Sequence, residues 1–167
     1  MIFVTLGSQK FQFDRLLLKL DELIENGIIR DEVVAQIGAS TYKPKHFSYV
    51  NFMDRQEFAD TMDKCKTVIT HGGTGVIIGA VKKGKKVIAI PRLARFGEHV
   101  DDHQLQLLHQ FDDLGIICAC YDTEDLEKYV KEIDAMSFRP YISNTTVIID
   151  SIEEYLQTVK KKKKKKV

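Results

Sequence analysis

The chain has 167 residues, of which 44% are hydrophobic and 29% are charged, as expected for one globular domain with a substantial core. No apolar run reaches the roughly 18 residues that a membrane-spanning helix needs, which argues against an integral membrane protein. The formal net charge of +1 conceals an uneven distribution, because seven lysines stand together at Lys160–Lys166 and the rest of the chain carries 18 basic and 24 acidic residues.

Strands and helices alternate along the predicted chain. Short apolar runs predict buried strands, and apolar residues three or four positions apart predict helices. In chain order the elements are a strand at 2–6, a helix at 13–24 closed by Asn26-Gly27, strands at 33–37 and 47–52, a helix at 54–63 capped by Asp54, a strand at 67–70, a helix at 74–83, a strand at 87–90, a helix at 100–114, a strand at 116–119, and helices at 123–135 and 145–158. The opening run, MIFVTLG, is too short and uncharged for a secretion signal, so we interpret it as a strand.

This order of elements predicts an α/β fold, a Rossmann-like and mostly parallel sheet with helices on both faces. We expect one domain at 1–158, followed by a disordered poly-Lys tail at 159–167. In such open sheets, ligands bind beyond the carboxyl ends of the strands. That rule selects four loops, at 7–9, 38–40, 71–75 and 91–102.

The loop His71-Gly72-Gly73-Thr74-Gly75 joins a buried strand to a helix. Free backbone N–H groups and the positive helix end predict an anion site there, most naturally for phosphate. Thr74 can add its hydroxyl, and His71 can donate a hydrogen bond to a phosphate or carbonyl oxygen. The alternative is a tight turn with a packed histidine. The loop is neither a Walker loop nor a GxGxxG motif.

A second glycine loop, Gly7-Ser8-Gln9, follows the first strand. In isolation it can equally be a plain turn. Two such loops at one sheet edge nevertheless predict a diphosphate ligand better than either loop alone.

The loop after the fifth strand, PRLARFGEHVDDHQLQ, collects charged and polar residues. The candidates for substrate binding are Arg92, Glu98, His99, Asp102 and Gln104. Gln104 shares a helical stripe with Val100 and Leu107, so its amide should face inward and need a partner, which ligand hydroxyls can supply. The alternative is an exposed loop whose acids favour the helix dipole. A metal site at His99 and His103 lacks a third ligand that the sequence can place, so we predict none.

Cys65, Cys118 and Cys120 lack metal-ligand spacing and are predicted to be core thiols of a reducing compartment. No nucleophile triad is recognisable. A proton-abstracting base would be Asp, Glu or His, and another chain can provide it.

The lysine run permits several interpretations. It can contact anionic lipid, at about 1 kcal/mol per lysine near the surface, or nucleic acid, although the acidic body argues against the latter. It can also be a solvated end or an expression remnant.

Four motifs in register resemble the C-terminal, nucleotide-sugar-binding domain of glycosyltransferase family 28. They are FVTLGSQKFQFDRLL, VITHGGTG, GKKVIAIPR and GEHVDDHQ, and the likeness covers roughly residues 1–155. The nearest likeness is to the small catalytic subunit of split, two-chain members, which occur in dolichol-linked N-acetylglucosaminyl transfer and in bacterial capsule and exopolysaccharide clusters.

The resemblance implies one half of a GT-B enzyme that inverts the anomeric configuration of the transferred sugar and needs no metal. The donor would be a UDP-sugar, with galactose or glucuronic acid favoured. The acceptor would be a saccharide on a polyprenyl diphosphate, in capsular or exopolysaccharide synthesis. A membrane-anchored partner subunit would supply the other half and hold this chain at the cytoplasmic face of the membrane. The alternative is a non-catalytic UDP-sugar-binding or regulatory subunit.

The resemblance also assigns roles by position. It places the diphosphate at Gly72, Gly73, Thr74 and Gly75, flanked by Gly7, Ser8 and Gln9, and the sugar at Glu98, His99, Asp102 and Gln104. His71 is a possible catalytic base. Gly79 stands where many relatives carry a glutamate that holds the ribose, and Glu98 is the predicted substitute.

Overall fold

A single sheet of parallel strands organises the computed structural model, which describes residues 1–164 and, for side chains, residues 1–156. Its strands are β1 (Ile2–Thr5), β2 (Val33–Gln36), β3 (Ser48–Val50), β4 (Thr67–His71), β5 (Lys86–Ile90) and β6 (Cys118–Ala119). Their order across the sheet is β3-β2-β1-β4-β5-β6, and every pairing is parallel. The predicted fold class is therefore confirmed.

Helices connect the strands. They are α1 (Asp14–Glu25), α2 (Arg55–Lys64), α3 (Thr74–Lys82), α4 (His103–Asp113), α5 (Leu126–Glu132) and α6 (Thr145–Lys164), with 3-10 turns at Ala94–Phe96 and Thr123–Asp125. Asp54 caps α2 as predicted, since its carboxylate accepts two first-turn N–H groups while Glu57 bonds back to the N–H of Asp54.

Some element boundaries differ from the prediction. Helix α4 begins at His103 instead of residue 100, because a 3-10 turn and Gly97, with φ of 67°, occupy the preceding segment. As a result Val100 is exposed instead of belonging to the inward face. Strand β3 is short and exposed because it forms the edge of the sheet. Helix α6 continues to Lys164, and the disorder predicted for residues 165–167 lies outside the described residues.

Two apolar clusters cover the two faces of the sheet. Successive strand residues point to opposite faces, so Ile2 and Val4 join one cluster and Phe3 the other. The first cluster includes Leu16, Leu20, Ile69, Ile88 and Leu126, and the second includes Met62, Val68, Ile77, Val87 and Leu108. Helices α1 and α5 thus pack on one face, and α2, α3 and α4 on the other.

The three cysteines are free and buried, as predicted for core thiols. Burial raises the pKa of Cys118 and of Cys120 to about 12, so neither thiol is ionised at neutral pH. Among the helices described, none combines the length and apolarity that crossing a bilayer requires.

The order of the strands changes direction between β1 and β4. From β1 the chain proceeds outward to β2 and β3, then returns to pair β4 with the other side of β1. The helices that follow β1 and β4 therefore lie on opposite faces of the sheet. Between the two connections a crevice remains at the carboxyl ends of these strands, which is where ligands bind in such sheets. The two glycine loops predicted to bind diphosphate both begin at this crevice.

Candidate functional site: two glycine loops at the switch point

The imidazole of His71 lies between the two glycine loops. A Cβ atom on Gly7 would come within 2.7 Å of His71 Cε1, and one on Gly73 within 2.4 Å of His71 Nε2. Gly7 also has φ of 73°, a conformation that side chains rarely adopt. The ring thus leaves no room for a side chain at either position, which explains the two glycines. The structure brings the two predicted loops together around His71.

Unused backbone donors line the same edge. Gly73 is the N-cap of α3 and offers no side-chain cap. Within the described chain, the backbone N–H groups of Thr74, Gly75 and Val76 have no protein acceptor outside α3, and those of Ser8 and Gln9 have none either. Thr74, Gly75, Ser8 and Gln9 are exposed. The edge thus presents amide hydrogens from two directions, beside the positive end of a helix, which suits an anion.

His71 is neutral at physiological pH. Burial lowers its pKa to about 4, and the positive charge of Arg92 contributes in the same direction. Its Nδ1 lies 3.4 Å from the Thr70 hydroxyl, which donates to the Thr5 carbonyl at 2.7 Å. An imidazole with this pKa is a weak base until an anion binds beside it, because an adjacent negative charge raises the pKa.

This pKa predicts how stability depends on pH. The folded pKa of His71 lies below its ordinary 6.5, so the unfolded chain binds the proton more readily. The free energy of unfolding is therefore unaffected by His71 above about pH 6.5. As the pH falls toward 4, the unfolded chain takes up the proton first, and the free energy of unfolding declines by up to about 3 kcal/mol. Denaturant titrations of wild type and His71→Gln at several pH values should show a smaller decline for the variant. Parallel curves for the two proteins would contradict the assignment.

Arg92 is fully buried, which differs from its predicted role as a substrate ligand. Its Nη2 donates to the carbonyls of Leu6 at 2.7 Å and Phe11 at 3.2 Å, so it holds both ends of the first glycine loop. Burial lowers its pKa to about 10, and the side chain remains charged at neutral pH. Among the described residues, its Nε and Nη1 have no hydrogen-bond partner. Arg92 thus positions the loop and places a positive charge behind it.

Gln104 joins the second glycine loop to the loop after β5. Its Oε1 accepts the N–H groups of Gly72 and Arg92, each at 3.0 Å. A Cβ on Gly72 would meet Gln104 Cβ at 2.8 Å, so this glycine is also fixed by packing. The inward orientation inferred from the sequence is present, but the partner of Oε1 is backbone instead of a ligand. In the described chain Nε2 has no protein acceptor, so the sugar contact stays a prediction for that atom.

Substitution of Gln104 tests whether its side chain positions the second glycine loop. Gln104→Ala leaves two buried N–H groups unpaired, and we expect a loss of about 1–3 kcal/mol in unfolding free energy. We also expect weaker UDP binding, because Gly72 is no longer held. Isothermal titration calorimetry measures the UDP affinity of the two proteins. Equal UDP affinities for wild type and Gln104→Ala would refute the positioning role.

Glu98 is 1% exposed and forms an internal ion pair, which differs from the prediction that it faces the sugar or the ribose. Arg15 donates to both of its oxygens, at 2.7 and 3.1 Å, and the Leu93 N–H donates at 3.0 Å. Arg15 also donates to the Pro91 carbonyl at 2.7 Å. Sequence reasoning missed Arg15, whose position beside the apolar stripe of α1 gives no signal of a partner 83 residues away.

Two histidines lie on either side of one carboxylate where the chain enters α4. Asp101 accepts from His103 Nδ1 and lies 3.3 Å from His99 Nδ1, and the ring of His99 contacts Phe11 at 4.9 Å between centroids. Asp101 is thus a third potential metal ligand that the sequence did not place, within 4.8 Å of the other two. Asp102 is exposed, and its Oδ1 accepts the Ala94 N–H at 2.8 Å.

A cleft of about 730 Å³ lies elsewhere, near the amino end of β5. Its lining includes Lys82, Gly84, Lys86, Arg139 and Tyr141 and contains none of the predicted site residues. We therefore locate the candidate site by the switch point and its free donors instead of by this cleft.

The fold and its paired donor loops define a Rossmann-like α/β domain with an open edge at the switch point. The chain belongs to the glycosyltransferase family 28 C-terminal domain family, whose model matches residues 1–165, and the recognition made from motifs is confirmed. The protein is therefore of the family 28 glycosyltransferase type.

Curated relatives point to one kind of subunit. The "UDP-N-acetylglucosamine transferase subunit ALG13" of Candida albicans is 28% identical over 58% of this chain and 31% of its own length. The protein of the same name from Candida glabrata is 30% identical over 58% of this chain and 46% of its own length. The chain thus spans less than half of these relatives.

Solved structures of sugar transferases share the fold. The glycosyltransferase of kitacinnamycin has a TM-score of 0.60 and 18% identity, over 81% of this chain and 35% of that one. The NMR structure of ALG13 has a TM-score of 0.56 and 17% identity, over 90% of this chain and 93% of that one. MurG of Acinetobacter baumannii has a TM-score of 0.54 and 14% identity, over 80% and 40% respectively.

Proposed function

We propose that this chain is the donor-binding half of an inverting UDP-sugar-dependent hexosyltransferase. The observation that carries the proposal is the convergence of free amide donors from two loops, around His71, at the switch point. The diphosphate of the donor lies against Gly72–Gly75 and is flanked by Gly7–Gln9. His99, Asp102 and the Nε2 atom of Gln104 lie toward the sugar.

The transfer reaction requires the donor-binding half to hold the UDP-sugar and to stabilise the departing UDP. An acceptor hydroxyl attacks C1 of the sugar from the face opposite the diphosphate, the C1–O bond to UDP breaks, and the anomeric configuration inverts. Negative charge develops on the departing diphosphate. Amide hydrogens at the start of α3 and the buried charge of Arg92 stabilise it without reorganisation, so the step needs no metal.

The hydroxyl proton needs a base. His71 is one candidate, since diphosphate bound beside it raises its pKa above the unliganded value of about 4. As the diphosphate shields the ring in this arrangement, a base from a partner chain is the second candidate. We propose that a membrane-anchored subunit provides the acceptor half, which agrees with the word subunit in the relatives' names and with the 35–40% of two larger transferases that this chain matches.

The acceptor in this proposal is a saccharide on a polyprenyl diphosphate at the cytoplasmic face of a membrane. The relatives' names favour N-acetylglucosamine as the transferred sugar. The galactose or glucuronic acid expected from the sequence, and a role in capsule or exopolysaccharide synthesis, have no support of this kind. N-acetylglucosamine therefore becomes the first donor to test.

A thermal-shift screen tests the donor site directly. We expect UDP and one UDP-sugar to raise the melting temperature by about 5–10 °C at a hundredfold excess over Kd, since such binding adds about 2.7 kcal/mol of stability. The UDP derivatives of N-acetylglucosamine, galactose, glucose and glucuronic acid are compared, with GDP and ADP as controls. The shifts should persist in EDTA, because amide hydrogens and not a cation hold the diphosphate. No shift with any uridine nucleotide would refute the donor site.

Turnover distinguishes the enzyme from a non-catalytic subunit of the same fold. UDP release is measured with the preferred donor and a polyprenyl-diphosphate acceptor, with and without a membrane fraction that contains the partner. Release that appears only when chain, donor and acceptor are all present supports transfer. Donor binding without release under either condition would assign the chain a regulatory role.

A further inference from the structure

Three potential metal ligands lie together at the entrance of α4. They are His99, Asp101 and His103, alternate residues of a bent segment, and one ligand atom from each lies within 4.8 Å of the other two. Asp102 is not part of this group, because its Oδ1 accepts the Ala94 N–H at 2.8 Å. The sequence shows the two histidines, and the fold adds the carboxylate between them.

The side chains of this cluster are held in place by the protein itself. The His99 side chain is 9% exposed, and its ring contacts those of Phe11 and His103 at 4.9 and 4.7 Å between centroids. Asp101 Oδ1 accepts the backbone N–H of His103 at 3.1 Å, which orients the carboxylate. A metal ion therefore meets ligand atoms that are already gathered, and little side-chain freedom is lost when it binds.

The distance between two of the ligand atoms suits tetrahedral coordination. Nitrogen and oxygen ligands lie about 2.0–2.2 Å from zinc, so two ligands of a tetrahedral ion are roughly 3.3–3.6 Å apart. His99 Nδ1 and Asp101 Oδ1 are 3.3 Å apart. The Asp101 N–H donates to the same nitrogen at 3.5 Å, as it does to an unprotonated imidazole nitrogen. Two acceptors then face each other, and a cation between them relieves their repulsion.

His103 joins this pair by moving one hydrogen. Its Nδ1 donates to Asp101 Oδ1. A neutral imidazole can carry its hydrogen on Nε2 instead, and the His103 side chain is 47% exposed, so water can accept that hydrogen. A metal ion can then replace the hydrogen between the His103 ring and the carboxylate.

We propose that His99, Asp101 and His103 bind a divalent transition metal ion, for which Zn²⁺ is the probe. Two imidazoles and one carboxylate suit zinc, copper or nickel, whereas magnesium and calcium prefer oxygen ligands only. Three protein ligands leave a fourth position for water or another ligand. The alternative is a cluster of ion pairs that binds no metal.

The ion lies beside the donor site and outside the transfer reaction. His99 contacts Phe11, whose carbonyl accepts from Arg92 at the end of the first glycine loop. Gln104, the next residue after the cluster, holds the second glycine loop. A bound metal thus fixes the segment between the supports of both loops. This inference goes beyond the proposed function, because the transfer step proposed above needs no metal.

Isothermal titration calorimetry of the full chain with ZnCl₂, in the absence of nucleotide, tests the site. We expect one zinc ion per chain and no measurable binding of Mg²⁺. Even the outer partners of a metal ligand contribute about tenfold to a hundredfold to affinity, so His103→Gln should weaken zinc binding at least about a hundredfold. Asp101→Asn keeps the size of the side chain and should weaken it at least about tenfold. In nitrogen NMR spectra, zinc should shift the Nδ1 resonances of His99 and His103.

His46→Gln is the matched control. His46 Nδ1 lies 3.5 Å from Asp21 Oδ1, but this pair has no third ligand among the residues that the structure describes, so the variant should bind zinc as wild type does. Circular dichroism checks that each variant is folded. Failure of wild type to bind zinc, or equal zinc affinities for His103→Gln and His46→Gln, would overturn the proposal. A chain that binds UDP-sugar but no zinc would refute only this inference, and the converse result would refute only the proposed function.

Discussion

Gly73→Ala should weaken uridine nucleotide binding about tenfold to a hundredfold while the domain stays folded. The added methyl would come within 2.4 Å of His71 Nε2, and the ring cannot retreat because Gly7 packs against it from the other loop. Either the ring or the loop must shift, at a cost of about 1–3 kcal/mol. The free amides of Thr74 and Gly75 move with the loop, so UDP affinity should fall by about tenfold to a hundredfold. Isothermal titration calorimetry measures this change.

Gly79→Ala provides the control in the same helix. A Cβ at Gly79 meets nothing within 4 Å, and alanine is a better helix former than glycine. The control should therefore be more stable than wild type by about 0.5–1 kcal/mol and should bind UDP with the same affinity. If Gly73→Ala binds as tightly as Gly79→Ala, the diphosphate does not lie against the start of α3.

Much of the fold follows from local patterns in the sequence. Apolar runs of four or five residues predict the strands inside the sheet, because a parallel sheet buried on both faces requires them. Asp54 predicts the start of α2, because its cap depends on neighbouring residues only. The location of the site follows in turn. Once the strands are parallel, the glycine loops after β1 and β4 must share an edge, and the sequence selects both.

What the sequence could not predict depends on contacts between distant segments. Glu98 looks like a ligand-facing acid in a polar loop until Arg15, in α1, is placed against it. Gln104 carries a real signal, a polar side chain on an inward stripe, but the signal does not distinguish a ligand from the N–H groups of Gly72 and Arg92. Three of the predicted ligands thus hold the backbone of the loops around the site. They are Arg92, Glu98 and Gln104.

The internal role of Glu98 predicts a large loss of stability when Arg15 is removed. Arg15→Met leaves a carboxylate that is 1% exposed without its cation. Breaking a buried ion pair in this way costs about 3–5 kcal/mol, and the lower end applies because Arg15 itself is 18% exposed. Urea denaturation followed by circular dichroism measures the change. The double variant Arg15→Met with Glu98→Gln should recover part of the loss, since no buried charge then remains.

Lys131→Met is the matched control, because it removes a cation from an exposed pair with Glu127 in α5 and should leave the unfolding midpoint nearly unchanged. Ligand binding decides between the two roles of Glu98. If its carboxylate serves only to hold the loop after β5, Glu98→Gln binds UDP and UDP-sugar in the same ratio as wild type. A Glu98→Gln protein that is as stable as wild type but has lost the preference for UDP-sugar would return Glu98 to the donor site. The amide keeps the size of the side chain, removes its charge and replaces one acceptor oxygen by a donor.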